Sequence, residues 1–475
     1  MKKVGLIILA LFGLVSCSSP PKYEKVKLDI PAEFRDFSAW KLAKPSDQQL
    51  KQKWWQEFGD NDLNSLEERA LKNSSSLKIA LERVNQSRAN FSTANAGLLP
   101  SVNATGRLAR LGISSARPLT NYNTPNQTTV QTDIFPQAIA SYELDFWGRV
   151  SSSVAAGEAN LEQSMADFQN VRLILSTDVA TNYFNLRQAD VEIDLLEQLI
   201  RLQEKALLLA TERFKLGLNS SLEKTQQQIA LQTTSGQIEQ LKRTRSIFEH
   251  ALATLIGENA TEFKLAVNLN ERRHLNTPLG IPSELLERRP DVASAERVVA
   301  AANAQIGIAQ AAYYPQIVLG SGFGYEATRL SNLYYAPSRV WSFGPSLSLP
   351  LFDGGRIDAN VAFNKSAYAI AVENYKRVVL SAMQEVEDGM SGVLALDKAF
   401  EQATQASKSA FQIFEISKER YKGGIANALD LALAEQAFIN VKRLETQAFA
   451  SRIQIQIFLI KASGGGWSGN KSEGL

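Results

Sequence analysis

The chain has 475 residues, with 51 Lys and Arg against 49 Asp and Glu and a formal net charge of +2. A balance this even leaves no basic footprint for nucleic acid. The lone cysteine, Cys17, rules out an internal disulfide, and His250 and His274 are too far apart in sequence to share metal-ligand spacing. No Ser/His arrangement and no paired carboxylates in a pocket-like context stand out. The sequence calls for no catalytic residue, no cofactor and no metal, and the chain reads as something other than an enzyme.

The start is Met1-Lys2-Lys3, an apolar run from Val4 to Val15 broken only by two glycines, and then Ser16-Cys17-Ser18-Ser19-Pro20. A charged head and a short apolar stretch are the form of a secretory signal. Twelve helical residues cover roughly 18 Å, short of the ~30 Å hydrocarbon core, so the run does not read as a spanning anchor. Leu14-Val15-Ser16-Cys17 resembles a bacterial lipobox. The resemblance implies that residues 1–16 are a signal peptide and that Cys17 becomes the acylated first residue of the mature protein. Ser18 in the next position implies sorting to the outer membrane. A plain signal ending near a chance cysteine is the alternative.

Residues 17–60 are expected to be a lipid-anchored extended segment, with four prolines and then Trp54-Trp55-Gln56-Glu57-Phe58-Gly59-Asp60 packing on the body. From Asn61 to Leu98 the apolar spacing is helical, with a soft break at Asn73 to Ser76. Its echo runs from Val292 to Tyr314, introduced by Arg288-Arg289-Pro290-Asp291, where proline and aspartate suit the first turn of a helix. A structural ion-pair role suits the arginines better than catalysis. Pro100 and Pro315 close the two helices.

Alternating sequence follows each proline. Ile317, Leu319, Phe323 and Tyr325 share one parity; Trp341, Phe343, Leu347, Leu349 and Leu351 share another, with Ser342, Gly344, Ser346 and Ser348 between them. The first half gives Val102, Ala104 and Leu108, then Ile139, Tyr142, Leu144 and Phe146, less regularly, in a strand expected over 137–147. Each half thus offers two segments of the length that a tilted transmembrane strand needs. The stretches 112–130 and 326–338 read as loops.

Two long helical patterns come next. Leu161, Met165, Phe168, Val171, Leu175, Val179, Tyr183 and Leu186 step by four and three, as do Val372, Tyr375, Val379, Met383, Val386, Met390 and Val393. This is a coiled-coil seam. Each pattern ends at an Arg-aromatic-x-x-Gly turn and folds back as an antiparallel hairpin. Arg149/Arg356, Val179/Val386, Arg213/Arg420 and Gly217/Gly424 are all 207 residues apart, which marks an internal repeat. The expected division is a first repeat at 61–275, a second at 276–463 and a disordered tail at 464–475.

Only helices and closed barrels cross a bilayer, and four strands are too few to close one. A barrel shared among protomers, joined to a helical tube, is a conduit. The chain resembles the TolC-like outer-membrane factors, in the OprM-like (NodT-type) efflux lipoprotein branch. The resemblance is carried by the Trp54–Asp60 stretch, Tyr142-Glu-Leu-Asp-Phe-Trp-Gly-Arg149, Arg288–Asp291, Gly344-Pro-Ser-Leu-Ser-Leu-Pro-Leu-Phe-Asp-Gly-Gly-Arg356 and the two turns, spread over residues 17 to 460. It implies a mainly α fold with a membrane β-barrel: a homotrimer with four strands per protomer in a shared twelve-stranded barrel, and long hairpins forming an α-barrel across the periplasm. It also implies a periplasmic adaptor and an inner-membrane pump of the resistance-nodulation-division type, with the channel a passive exit duct for drugs, toxic compounds or metal ions.

On the same basis Arg213, Gly217, Arg420 and Gly424 mark the tips that meet the adaptor. Leu429 matches a leucine that constricts the mouth in OprM-like channels, with Asp430 beside it. Leu433 stands where the family often has an aspartate, so a carboxylate ring at the usual place is not expected. Leu429 packing in the hairpin seam is the other reading. Type I protein secretion and a pore-less coiled-coil envelope scaffold are the alternatives to efflux.

Overall fold

In the computed structural model, residues 23–24, 53–116, 128–218, 220–269 and 289–465 are described. Cys17, the signal segment, His274 and residues 466–475 of the tail lie outside them. Helices α1 (Asn61–Asn73), α2 (Ser75–Ala96), α3 (Arg149–Lys215), α4 (Ser221–Leu255), α5 (Pro290–Ala311), α6 (Arg356–Lys422) and α7 (Ala428–Ala462) accompany strands β1 (Ser101–Ile113), β2 (Thr129–Glu143), β3 (Gln316–Tyr325) and β4 (Arg339–Ser348). The repeat is carried down to length. α2 and α5 each have 22 residues, α3 and α6 each 67, and α4 and α7 each 35. Chance similarity of composition would not reproduce three lengths in order. At 1.5 Å per residue, α3 and α6 are each about 100 Å long. Among the described residues no helix is long and apolar enough to cross a membrane.

The chain divides into two compact units, each drawing segments from both halves. The first unit (Met1–Lys27, Asn85–Gln163 and Glu296–Asn374) holds one antiparallel sheet in the order β1-β2-β3-β4. Directly paired residues share a face, and the register joins the apolar parities of all four strands. Val102↔Ala140, Ala104↔Ala138 and Leu108↔Ile134 continue through Tyr142↔Leu319 and Ala138↔Phe323 to Ile317↔Leu347, Ser321↔Phe343 and Phe323↔Trp341. The other face is polar and glycine-rich: Asn103, Thr105, Gln137, Ser141, Gly320, Gly322, Ser342, Ser346 and Ser348. There Arg107 pairs with buried Asp133 at 2.5 Å.

Both strand pairs depart from expectation: β4 ends at Ser348, so Leu349 and Leu351 lie beyond it, and the first pair departs further. β2 starts at Thr129 and ends at Glu143, so Leu144 and Phe146 lie beyond it, and Ile139 sits opposite Gly322 on the polar face. Gly112, Ile113, Thr129 and Val130, expected in a loop, are strand. Pro136 is the reason the pattern was obscured. Proline cannot donate to a ladder, and the continuous β2–β3 pairing stops at Gln137↔Gly324. Gly324 answers it, since a Cβ there would lie 2.5 Å from the Pro136 carbonyl oxygen.

The strand-to-helix turns are held by carboxylates. Asp145 accepts from the backbone N–H of Val150 (2.9 Å) and Ser151 (2.7 Å), and Asp353 accepts from Gly355 (2.9 Å) and Ile357 (2.8 Å). Val150, Ser151 and Ile357 are among the unsatisfied donors that open α3 and α6, and Gly355 directly precedes α6. Arg149 makes a two-pronged pair with Glu143 (2.7 and 2.6 Å), and Trp147 donates to the Pro315 carbonyl at 2.8 Å while stacking on Tyr314.

The second unit (Leu28–Val84, Ser164–Ala295 and Tyr375–Leu475) holds the main core. Trp54, Trp55 and Phe58 pack with Leu63, Leu66, Leu175, Val179, Tyr183, Leu252 and Ile457. Trp54–Phe58 is a 3-10 helix and not extended chain. Its following residues explain the rest of that motif. Gly59 turns at φ 65°, and one Asp60 carboxylate oxygen caps α1 at Asp62 and Leu63 while the other takes the Tyr183 hydroxyl at 2.6 Å. Beside it Arg187, only 1% exposed, donates to Asp62 (2.8 Å), Asp190 (3.0 Å) and the Ala266 carbonyl (2.5 Å), and Arg245 reaches Asp190 at 2.6 Å. The two terminal nitrogens of Arg187 are met in this way, while its buried Nε has no hydrogen-bond partner among the described residues.

Arg289 is likewise structural. It pairs with Asp291 and Glu385, both at 2.7 Å, and donates to the Ala462 carbonyl at 3.0 Å, the last residue of α7. A cation suits that helix end.

Glu67 is another buried ionisable side chain. It is fully buried, and neither carboxylate oxygen has a hydrogen-bond partner. Burial pushes its pKa well above 4.5. The unfolded chain ionises near that value, so stability falls as pH rises above 4.5 toward the folded-state pKa. Glu67→Gln should therefore melt with the wild type in acid and increasingly above it as pH rises toward 8. A gap that does not change with pH would exclude this account.

Candidate functional site

The hairpin tips carry the residues singled out by the sequence, and all lie in the second unit. Each long helix ends in the same device. At the first tip the N–H of Leu218 donates to the Arg213 carbonyl (2.9 Å) and that of Gly217 to Phe214 (3.0 Å). At the second, Ile425 donates to Arg420 (2.9 Å) and Gly424 to Tyr421 (3.0 Å). These are Schellman caps with glycine at the left-handed position, φ 72° at Gly217 and 71° at Gly424. The Arg-x-x-x-Gly spacing is thus the spacing of the cap, to which the arginine lends its carbonyl. Lys215–Glu212 and Lys422–Glu419, both 2.8 or 2.7 Å, repeat on the two last turns.

The returning helices start differently. Ser220 makes no side-chain cap to α4, whereas Asn427 and Asp430 form a reciprocal capping box at the start of α7. The Asp430 N–H donates to Asn427 Oδ1 at 2.9 Å, and the Asn427 N–H donates to Asp430 Oδ2 at 3.3 Å. Asp430 is exposed and its carboxylate is engaged in this cap. The Asn-x-x-Asp spacing was the available signal.

A cleft of about 410 Å³ separates the two hairpins at this end. It brings together Leu202, Leu209 and Arg213 of α3, Glu223 of α4, Tyr421 of α6, and Leu429 and Glu435 of α7. Leu429 is half-buried on its wall, while Leu218, Ile425 and Leu433 are more than half exposed. Its lining mixes apolar side chains with an arginine and two glutamates. Among the described residues no group of His, Cys, Asp and Glu is arranged to bind a metal ion.

The profile described as "Outer membrane efflux protein" matches residues 66–258 and 281–465. The pyoverdine export outer membrane protein OpmQ of Pseudomonas aeruginosa is 31% identical, covering 99% of this chain and 98% of that protein. The cation efflux system protein CusC of Escherichia coli K12 is 27% identical over 97% of this chain and 98% of its own length. Among solved structures, the open state of the Neisseria gonorrhoeae MtrE outer membrane channel superposes with a TM-score of 0.80 at 27% identity, covering 95% and 98% of the two chains.

At both caps a Cβ would meet nothing within 4 Å, so an alanine is opposed by backbone conformation alone. Gly217→Ala and Gly424→Ala should each destabilise their tip by about 1 kcal/mol, and the asparagine variants by less. Hydrogen exchange of the tip amides reads this directly. Equal protection in the glycine and alanine proteins would remove the cap from the account.

Proposed function

Since this chain belongs to the outer membrane efflux protein family and is an outer-membrane channel of an efflux system, we propose that it works as a homotrimeric exit duct for small molecules. An inner-membrane pump of the resistance-nodulation-division type delivers them through a periplasmic adaptor that docks on the hairpin tips. The observation that carries the trimer is the sheet. It has one continuous apolar face, one polar face, and two unpaired edges at β1 and β4. In lipid those edges must find partners, and three copies supply a closed twelve-stranded wall with the polar face inward. Small cargo is favoured because the names of the relatives refer to export of pyoverdine and of cations.

Arg213, Gly217, Arg420 and Gly424 form the adaptor-facing ends, and a lipid on Cys17 holds the mature chain at the membrane. Leu429 is the gate: three-fold symmetry draws three copies toward one axis, where a leucine ring closes by dewetting. Asp430, next to it, contributes negative charge at the mouth while capping α7.

Planar-bilayer recording combined with the heat-resistant trimer tests both parts. Phe343→Arg, at mid-strand on the apolar face, should cost about 2–4 kcal/mol and deplete the trimer, whereas Ser342→Arg, facing the lumen, should be tolerated. Equal loss in both would sink the assigned faces. Leu429→Ala should raise resting conductance with the trimer intact. Earlier melting at unchanged conductance would make it a seam residue instead.

A further inference from the structure

The apolar face of the sheet carries two charged residues in its four strands, Arg110 on β1 and Arg339 on β4. Both are exposed, and neither makes an ion pair or side-chain hydrogen bond among the described residues. Both lie at the same end of the sheet. Arg110 is three residues from the end of β1, and Arg339 is the first residue of β4. This is the end where 114–128 joins β1 to β2 and 326–338 joins β3 to β4, opposite the end where the helices attach. In an outer-membrane channel whose helices are periplasmic it is the outer-leaflet end. Arg329, in the second connection, is also exposed and unpaired.

Placement on a lipid-facing surface is what makes these arginines informative. Such a charge costs a few kcal/mol at the bilayer midplane and about 0–1 near an interface, so the pair belongs at headgroup depth. The aromatic residues agree. Tyr325 is directly opposite Arg339, and Trp341, 71% exposed, is the next residue on the same face, as in an interfacial belt. Within one protomer two strands stand between β1 and β4, and the register sets Arg339 level with Gly106, four residues short of Arg110, which separates the arginines by about 20 Å. Closure of the trimer makes β4 of one protomer the neighbour of β1 of the next, about 4.8 Å away. A guanidinium pair that is unpaired by carboxylate, at headgroup depth, matches phosphate oxygens.

We propose that each seam between protomers carries an outward-facing site for the phosphorylated headgroup of an outer-leaflet glycolipid, built from Arg339 of one copy and Arg110 of the next, with exposed Arg329 of the β3–β4 connection as a further cation at that end. The site rests on the trimeric closure proposed above and is incomplete in a single chain. It would clamp the seam from outside, adding to the backbone pairing between strands of different chains.

Native mass spectrometry of the full trimer in mild detergent provides the test, with a bis-phosphorylated acyl-glucosamine disaccharide as probe. The wild type should retain this lipid about tenfold more tightly than its dephosphorylated form. Arg110→Gln/Arg339→Gln should lose that preference while keeping the trimer mass, and Arg110→Lys/Arg339→Lys should retain most of it. Inorganic phosphate at matched concentration should not displace the lipid. Undiminished binding by the Gln pair, no preference between the two lipids, or ready displacement by free phosphate would each overturn the site. Absence of a trimer in the wild type would instead overturn the closure on which it depends. The two-lipid comparison on the wild type stands even where a variant fails to assemble.

Discussion

A backbone N–H or C=O without a partner in hydrocarbon costs several kcal/mol, and a flat four-stranded sheet exposes two full rows of them. That constraint governs the rest of this molecule. The register that aligns Val102, Ala138, Leu319 and Phe343 on one face makes the sheet fit for lipid on that side only. The edges then require further strands of the same kind, and the chain has no more to give among its described residues. Membrane insertion and assembly are therefore one problem with one solution, and a strand pair in each half of the chain is the protomer's share of it.

The motifs that distinguish the chain turn out to be joints. Asp145 and Asp353 start the long helices, Asp60 starts α1 and ties it to Tyr183, and Arg289 binds the opening of α5 to the end of α7. These signatures sit where the chain changes direction: strand to helix, helix to helix, helix to return. This is why a chain with neither a usable thiol nor clustered histidines still carries sharply spaced signatures.

Much of this was legible beforehand, and the parts that were not have physical reasons. Parity in β3 and β4 could be read because one face is large and apolar and the other small. β2 could not, since Pro136 interrupts the pattern and Ile139 sits on the polar face against glycine. The tip arginines were visible through their spacing to glycine, although the working atom is the carbonyl and not the guanidinium. Arg187, Asp62, Asp190 and Arg245 lie far apart in sequence, and only packing brings them together. Leu429 could be located but not oriented, because a half-buried leucine at a helix start obeys the same periodicity whether it lines a cleft or a pore.

The equal lengths of the two hairpins have a consequence for recognition. Three chains of this kind present six arms that a partner measuring only reach cannot tell apart. The arms differ at the return, where one carries the Asn427–Asp430 box and the other an unassisted Ser220. A partner reading end chemistry finds three of each in alternation. The same ring is thus six-fold to a ruler and three-fold to a chemist, and a collar of either symmetry could seat on it without any change in the chain.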